Sequence, residues 1–135
     1  DVRNQLPVRV YADGNTRPIM VRDNEDMEQL KWIVVHHTNN GARRPTVEAI
    51  ARYQTGWSSH INFPVIAYHW SVEGNGQIVC CHGMDIVTWA NGGRSPSSKD
   101  GIGIYNWQSI PIAFAGEDPT TIQIEQMDKL TNALQ

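Results

Sequence analysis

The pattern of apolar and polar positions predicts strands and helices that alternate along the chain. Residues 31–38 form a β-branched, nearly continuous apolar run that ends on polar side chains. Such a run is typical of a strand buried on both faces, in the middle of a sheet covered by helices. Apolar positions at helical spacing then predict a helix from Val47 to Gln54, which Pro45 and Thr46 open.

The next part of the pattern predicts a hairpin and a further strand. Strands over 65–73 and 77–81 are joined by a tight Gly-Asn-Gly turn at 74–76. A second buried-type strand is predicted over 109–115, where Pro111 indicates a sheet edge or a bulge.

The remaining segments complete a fold with one predicted domain. Residues 91–107 have little periodicity and are predicted as a long surface loop, whereas Thr120 begins a capping box and a helix that runs to 134. The order of elements predicts an α/β fold with a mixed central β-sheet flanked by helices. We divide the chain into an N-terminal arm, 1–29, and a domain, 30–135.

Composition narrows the classes of function. The 135 residues carry a formal net charge of -3 with scattered basic residues, which argues against nucleic acid as a partner. No apolar run approaches the roughly 18 residues that a membrane span needs. The sequence starts at Asp1 without a charged-then-apolar leader, so we expect that a signal peptide was either removed already or never present. Cys80 and Cys81 are neighbours on a strand and point to opposite faces, which disfavours a mutual disulfide and a metal site with His82.

Two places combine apolar strands with residues that can do chemistry. His36, His37 and Thr38 end the first strand, at the edge where open α/β sheets bind ligands. By strand alternation only one of the two histidines can serve a given metal ion. Tyr68 and His69 interrupt the apolar run of another strand. Buried polar groups of this kind are either hydrogen-bonded within the core or coordinated to a ligand, and the spacing leaves both interpretations open.

The residues resemble a known family in three blocks. An apolar strand ends in His-His-Thr at 32–38, and Tyr-His-aromatic precedes an aliphatic strand and a Gly-Asn-Gly turn within 67–78. A Trp-containing loop at 88–93 leads to an Asn-x-x-Ser-Ile strand at 106–116. Over about residues 30–134 the chain resembles the type 2 amidases, which include phage lysozyme-like amidases, bacterial cell-wall amidases and animal peptidoglycan recognition proteins.

The resemblance implies a substrate, a metal and a set of site residues. The substrate would be peptidoglycan, and a water activated by Zn²⁺ would cleave the amide between N-acetylmuramic acid and L-alanine. His36 would be the first zinc ligand, and Tyr68 would orient the water or stabilise the oxyanion. The residues expected to line the substrate groove are His37, Thr38, His69, Trp89 and Asn106. The protein would act outside the cell or facing the cell wall, as a secreted bacterial enzyme or a phage endolysin.

The sequence also departs from the family pattern. The second and third zinc ligands and a catalytic Lys are expected after the last helix, so we expect a C-terminally truncated, front part of the domain that is inactive alone. Ala90 stands where the family's loop has a His, and Pro111 replaces a Gly. Three functions remain open: a zinc amidase, a peptidoglycan-binding module without catalysis, and a structural domain that retains only the fold. A His followed by Asp or Cys in residues after the last helix would favour the zinc amidase over the other two functions.

Overall fold

A computed structural model describes residues 1–56, 63–91 and 103–135 of the chain. Four strands and four helices lie in these ranges. The strands are β1 (Trp32–His37), β2 (Trp70–Val72), β3 (Ile78–Cys80) and β4 (Ser109–Phe114). The helices are α1 (Asn24–Glu28), α2 (Val47–Thr55), α3 (Ile104–Trp107) and α4 (Thr121–Leu134).

The strands form one mixed sheet in the order β1-β4-β2-β3. β4 pairs in parallel with β1 on one side and with β2 on the other. β2 and β3 form an antiparallel hairpin through the predicted turn, where Gly76 adopts a positive φ of 84°. This arrangement confirms the predicted α/β class with a mixed central sheet.

Helices cover both faces of the sheet. α2 packs through Val47, Ile50 and Ala51 against the face that carries Val79, whereas α4 packs through Met127 and Leu130 against the other face. Because neighbouring strand residues point to opposite faces, Val79 and Ile78 contact different helices. Within the described ranges, no helix has the length and apolar character that crossing a bilayer demands.

The two long helices begin where the sequence predicts. Thr46 caps α2 by accepting a hydrogen bond from the N–H of Ala49. Thr120 and Gln123 form a reciprocal capping box at the start of α4. The buried Gln123 side chain also donates from Nε2 to the carbonyls of Val72 and Ala115, at 3.1 and 3.0 Å. The cap of α4 is therefore also its attachment to the sheet.

The prediction that β1 lies in the middle of the sheet is wrong. In the described part of the chain β1 is an edge strand that pairs only with β4, and Trp32 and Val35 are 44% and 47% exposed. A continuous apolar run indicates that both faces of a strand can be buried. It does not indicate how many strands pair with that strand, because the topology of the sheet decides this number.

The prediction that Pro111 marks a sheet edge or a bulge is also wrong. Pro111 is fully buried in β4, between β1 and β2, in regular register with Val34. Its carbonyl accepts a hydrogen bond from the N–H of His69, which is the residue before β2 begins. Proline is tolerated here because the ladder with β2 starts only after this position, so its missing N–H interrupts little pairing.

Other differences concern element length. The hairpin strands are shorter than the predicted 65–73 and 77–81. Part of the predicted surface loop, 103–107, contains the short helix α3, and residues 92–102 of that loop lie outside the described residues. Helix α1, which has a capping box between Asp23 and Asp26, was not predicted from the sequence.

The N-terminal segment is tied to the rest of the fold by a buried arginine. Arg22 is 3% exposed and follows an isolated bridge between Val21 and Ile86. Its guanidinium donates hydrogen bonds to five backbone carbonyls, those of Met84, Ile86, Asn106, Trp107 and Ser109. One side chain therefore connects the N-terminal segment to the loop before Val87 and to the start of β4. The boundary between a 1–29 arm and a 30–135 domain stays a prediction.

Replacement of this arginine should destabilise the fold strongly. In Arg22→Met, the five carbonyls lose their charged donor in a buried place, and we expect the free energy of unfolding to fall by about 3 kcal/mol or more. Urea denaturation at neutral pH measures the change. Arg52→Met is the matched control, because Arg52 pairs with Glu48 on the surface at 69% side-chain exposure and should change stability by under about 1 kcal/mol. Similar losses in both variants would contradict the structural role of Arg22.

Candidate functional site

The C-terminal end of β1 opens into a polar cavity. The cavity has a volume of about 340 Å³ and lies between the end of β1, the loop that follows it and α2. The residues that line it are His37, Thr38, Asn39, Asn40, Pro45, Ala49, Ile50, Tyr53, Gln54 and Tyr68. The position agrees with the edge of the sheet where α/β folds bind ligands. Three of the residues selected from the sequence line this cavity: His37, Thr38 and Tyr68.

Adjacent histidines at the end of β1 have different environments. The His36 ring lies 5.7 Å from the Tyr68 ring, between centroids, and its Nε2 lies 2.6 Å from Asn91 Oδ1. The His37 ring instead lies 6.3 Å from the Phe114 ring, and its Nδ1 accepts a hydrogen bond from the N–H of Asn39. Burial, in spite of the bond to Asn91, lowers the pKa of His36. His36 is therefore a neutral imidazole at neutral pH, the form that binds metals.

Tyr68 is held by a neighbouring amide. Burial raises the pKa of Tyr68 against the effect of a side-chain hydrogen bond with Gln54. The Oε1 of the buried Gln54 already accepts the N–H of Ala67 at 2.8 Å, so its Nε2 is the group that can donate to the Tyr68 oxygen. Tyr68 is protonated at neutral pH, and its own O–H is left to donate elsewhere.

Thr38 closes the wall of the cavity. Its Oγ1 accepts a hydrogen bond from the N–H of Gly116 at 2.9 Å, and its N–H donates to the Gly116 carbonyl at 3.1 Å. The next residue, Asn39, has a positive φ of 54°, which turns the chain away from β1. Thr38 is half-buried, so its side chain contributes to the wall while its oxygen is already used by the backbone.

Two residues expected in the groove lie in the core instead. His69 is completely buried and its Nε2 donates to the Ile86 carbonyl at 2.8 Å, while Asn106 is 2% exposed. Burial lowers the pKa of His69 to about 3, so this ring is neutral. Neither side chain is exposed to solvent in this arrangement, and the expected contact of both residues with substrate stays a prediction. Trp89 is half-buried and stacks on Phe63 at 6.5 Å between centroids, outside the lining of the polar cavity.

The structure adds Asn91, a residue that the sequence analysis did not select. Asn91 bonds to His36 through Oδ1, to Ser109 Oγ through Nδ2 at 2.7 Å, and to Asn106 Oδ1 through its backbone N–H at 2.8 Å. It also lines a second, shallow cavity of about 590 Å³ beside β1, whose other residues are Trp32, Val34, His36, Ala90, Tyr105 and Ser109. The only sequence signal for it was its position in the Trp-containing block, two residues after Trp89.

A complete metal site is not formed by the described residues. Among them, no three His, Cys, Asp or Glu side chains are grouped closely enough to hold a metal ion. His36 fits the role of one ligand, because Asn91 Oδ1 binds Nε2 of its neutral ring and leaves the other ring nitrogen for a metal. The Cys80–His82 segment does not offer metal ligands. His82 binds the Ile66 carbonyl, and burial raises the pKa of the Cys81 thiol to about 12, which keeps it protonated at neutral pH.

Comparison with known proteins identifies relatives. The family model described as Amidase_2, N-acetylmuramoyl-L-alanine amidase, matches residues 26–135. A search of curated proteins gives no match.

Solved structures share the fold. Drosophila peptidoglycan recognition protein SD superposes with a TM-score of 0.62 at 22% identity, over 96% of this chain and 74% of its own. A selenomethionine derivative of AmpD gives 0.62 at 23% identity, over 96% and 77%. Manduca sexta peptidoglycan recognition protein-1 gives 0.53 at 20% identity, over 90% and 65%, so this chain spans about two thirds of that protein. At these identities the likeness shows the fold.

The buried His69 should make stability depend on pH. Its pKa is about 3 in the folded protein and near the usual 6.5 in the unfolded chain, so between these values the unfolded state binds the extra proton. Stability therefore falls as pH is lowered through this window, by about 2 kcal/mol at pH 5 from this one group. Urea denaturation between about pH 7.5 and pH 5 measures the slope. His69→Gln should make the slope shallower without abolishing it, because burial also lowers the pKa of His36 and His82. An equal slope in both proteins would show that His69 is not responsible.

Proposed function

Because the chain belongs to the N-acetylmuramoyl-L-alanine amidase family, we propose that this protein acts on peptidoglycan and hydrolyses the amide between N-acetylmuramic acid and L-alanine. The observation that carries the proposal is the contact of His36 with Tyr68 beside a polar cavity, with 5.7 Å between the ring centroids. A neutral imidazole and a protonated phenol are the two groups that the reaction needs close to the amide carbonyl.

His36, and not His37, is the proposed zinc ligand. The Nδ1 of His37 already accepts the Asn39 N–H, so in the neutral ring the proton occupies Nε2 and no lone pair is free. His36 uses only Nε2 in its bond with Asn91. Zinc, when bound, would lower the pKa of a water and polarise the amide carbonyl. The described residues offer one ligand where a catalytic zinc takes three, so the other two would come from residues outside the described ranges or outside this sequence.

Tyr68 is proposed as the donor to the developing oxyanion. Gln54 supplies a hydrogen bond to the phenolic oxygen and leaves the phenolic O–H available for the substrate. A donor already oriented by its neighbours stabilises negative charge without reorganising during the reaction. The raised pKa of Tyr68 keeps that proton in place at neutral pH.

The polar cavity is the proposed site for the stem peptide. In its wall, the side-chain amides of Asn39 and Asn40 can form hydrogen bonds with peptide groups, and the exposed ring of Tyr53 can cover apolar side chains. His37 and Thr38 belong to the same wall, and Trp89 is proposed to contact substrate at its margin. Since peptidoglycan lies outside the cytoplasmic membrane, we propose that the protein acts extracellularly or facing the cell wall.

A second candidate function is recognition of peptidoglycan without hydrolysis. The observation that favours it is that no three potential ligands are grouped among the described residues. The groove of His37, Thr38, Asn39, Asn40 and Tyr53 does not need a metal to bind a peptide. The two functions share binding and differ in release of stem peptides, so both must be measured.

The 135-residue chain should bind peptidoglycan and release no stem peptides. Co-sedimentation with purified peptidoglycan measures binding, and mass spectrometry of the supernatant, with and without added zinc, measures release. Tyr53→Ala should weaken binding about fivefold, because Tyr53 is an exposed aromatic of the cavity wall. Tyr11→Ala is the matched control, since Tyr11 packs on arginines of the N-terminal segment. Zinc-dependent release by this chain would contradict the incomplete ligand set, and absence of binding would contradict the proposed groove.

Tyr68→Phe should separate catalysis from metal binding. In a complete, zinc-loaded form of the protein, loss of the hydroxyl should lower turnover about 10²–10³-fold, the effect of removing one oxyanion donor. Zinc content, measured by atomic emission, should not change, because the phenol is not a ligand. Turnover within about twofold of the unmodified protein would remove Tyr68 from the mechanism.

A further inference from the structure

We propose that Asn91 is a positioning residue that keeps the proton of His36 on Nε2 and thereby leaves Nδ1 as the ring's metal-binding nitrogen. The inference rests on the proposed role of His36 as a ligand. It adds the residue that prepares His36 for that role and the nitrogen that would coordinate.

The direction of a hydrogen-bond chain fixes the tautomer. The chain ends at the backbone carbonyl of Tyr105, which can only accept, and Ser109 Oγ lies 2.5 Å from it. Because a serine hydroxyl has one proton, this proton is committed to Tyr105. Ser109 Oγ must then accept from Asn91, which places Nδ2 of the amide at 2.7 Å from it.

The hydrogen-bond chain continues from Asn91 to the imidazole of His36. With Nδ2 committed to Ser109, the amide presents Oδ1 to His36, and the two atoms Oδ1 and Nε2 are 2.6 Å apart. An amide oxygen cannot donate, so Nε2 must carry the hydrogen. A neutral imidazole has one N–H and one lone pair, and the lone pair is therefore on Nδ1.

A second contact prevents Asn91 from turning away. Its backbone N–H donates to Oδ1 of Asn106 at 2.8 Å, and Asn106 is 2% exposed. The Asn91 main chain is thus held by Asn106 of α3, and its side chain by Ser109 at the start of β4. Metal-ligating histidines ordinarily give their second N–H to an oxygen that fixes the ring, and Asn91 supplies such an oxygen before any metal is present.

The tautomer can be measured directly in the metal-free protein. Long-range ¹H–¹⁵N NMR of the histidine rings, at about pH 8 where imidazoles are neutral, distinguishes Nε2–H from Nδ1–H. We expect the Nε2–H to Nδ1–H ratio of His36 to exceed that of the urea-unfolded chain by about fivefold or more, the factor that one net hydrogen bond supports. Ser109→Ala frees the Asn91 amide to turn and should return the ratio toward the unfolded value.

Three further variants control the result. Asn91→Asp keeps an acceptor facing Nε2 and should preserve the Nε2–H form, whereas Asn91→Ala should lose the preference as Ser109→Ala does. Asn132→Ala, at an exposed position of α4, should leave the spectrum of His36 unchanged. His37 should remain in its Nε2–H form in every variant, because its Nδ1 bonds the Asn39 N–H.

The outcomes separate this inference from the proposed function. In the unmodified protein, a His36 ring mainly in the Nδ1–H form would overturn the inference. The same holds if the Nε2–H to Nδ1–H ratio of His36 equals that of the unfolded chain. An unchanged ratio in folded Ser109→Ala and Asn91→Ala would also overturn it, and circular dichroism tests whether they fold. A strong Nε2–H preference of His36 that both variants lose would support the inference. If a complete form of the protein then released no stem peptide, that result would contradict only the proposed catalysis.

Discussion

The buried guanidinium of Arg22 is the contact on which the rest of the structure depends. It ties the N-terminal segment to the loop before Val87, to α3 and to the start of β4, through carbonyls that include those of Asn106 and Ser109. The side chains of the same two residues hold Asn91, and Asn91 holds His36. Asn106 and Ser109 therefore link the buried cation to the imidazole, since their carbonyls bind Arg22 and their side chains bind Asn91. This link explains how an edge strand such as β1 can present a fixed side chain.

The charge of Arg22 is compatible with its burial because carbonyl dipoles surround it. Burial lowers its pKa to about 10, against the opposing effect of Asp26 and Asp85, so the side chain stays protonated at neutral pH. Bonds from a charged donor are roughly twice as strong as neutral ones. The planar guanidinium can also serve several acceptors at once, and a lysine ammonium with three donors could not replace it. The site thus depends on a contact that lies outside the cavity.

Elements whose structure is decided by local chemistry could be predicted from the sequence. The caps at Thr46 and Thr120 and the apolar spacing after them were sufficient to predict α2 and α4. The prediction failed for β1, whose apolar run could not reveal how many strands would pair with it. For His69 the interpretation of a hydrogen-bonded core histidine was left open, and the Ile86 carbonyl that decides it lies 17 positions away. Asn91 could not be identified because its partner His36 is 55 positions distant, and only the fold joins them.

The adjacent histidines show how the site can be organised before it binds anything. Strand alternation sends His37 toward Phe114 and leaves His36 beside Tyr68, and each ring then acquires a different hydrogen bond. His36 is fixed by Asn91 and Tyr68 by Gln54, so neither depends on a metal for its position. The wall of the cavity is likewise built from backbone turns and amides. It follows that the proposed recognition of peptidoglycan and the proposed binding of zinc depend on different groups of this chain, so the first can be tested without the second.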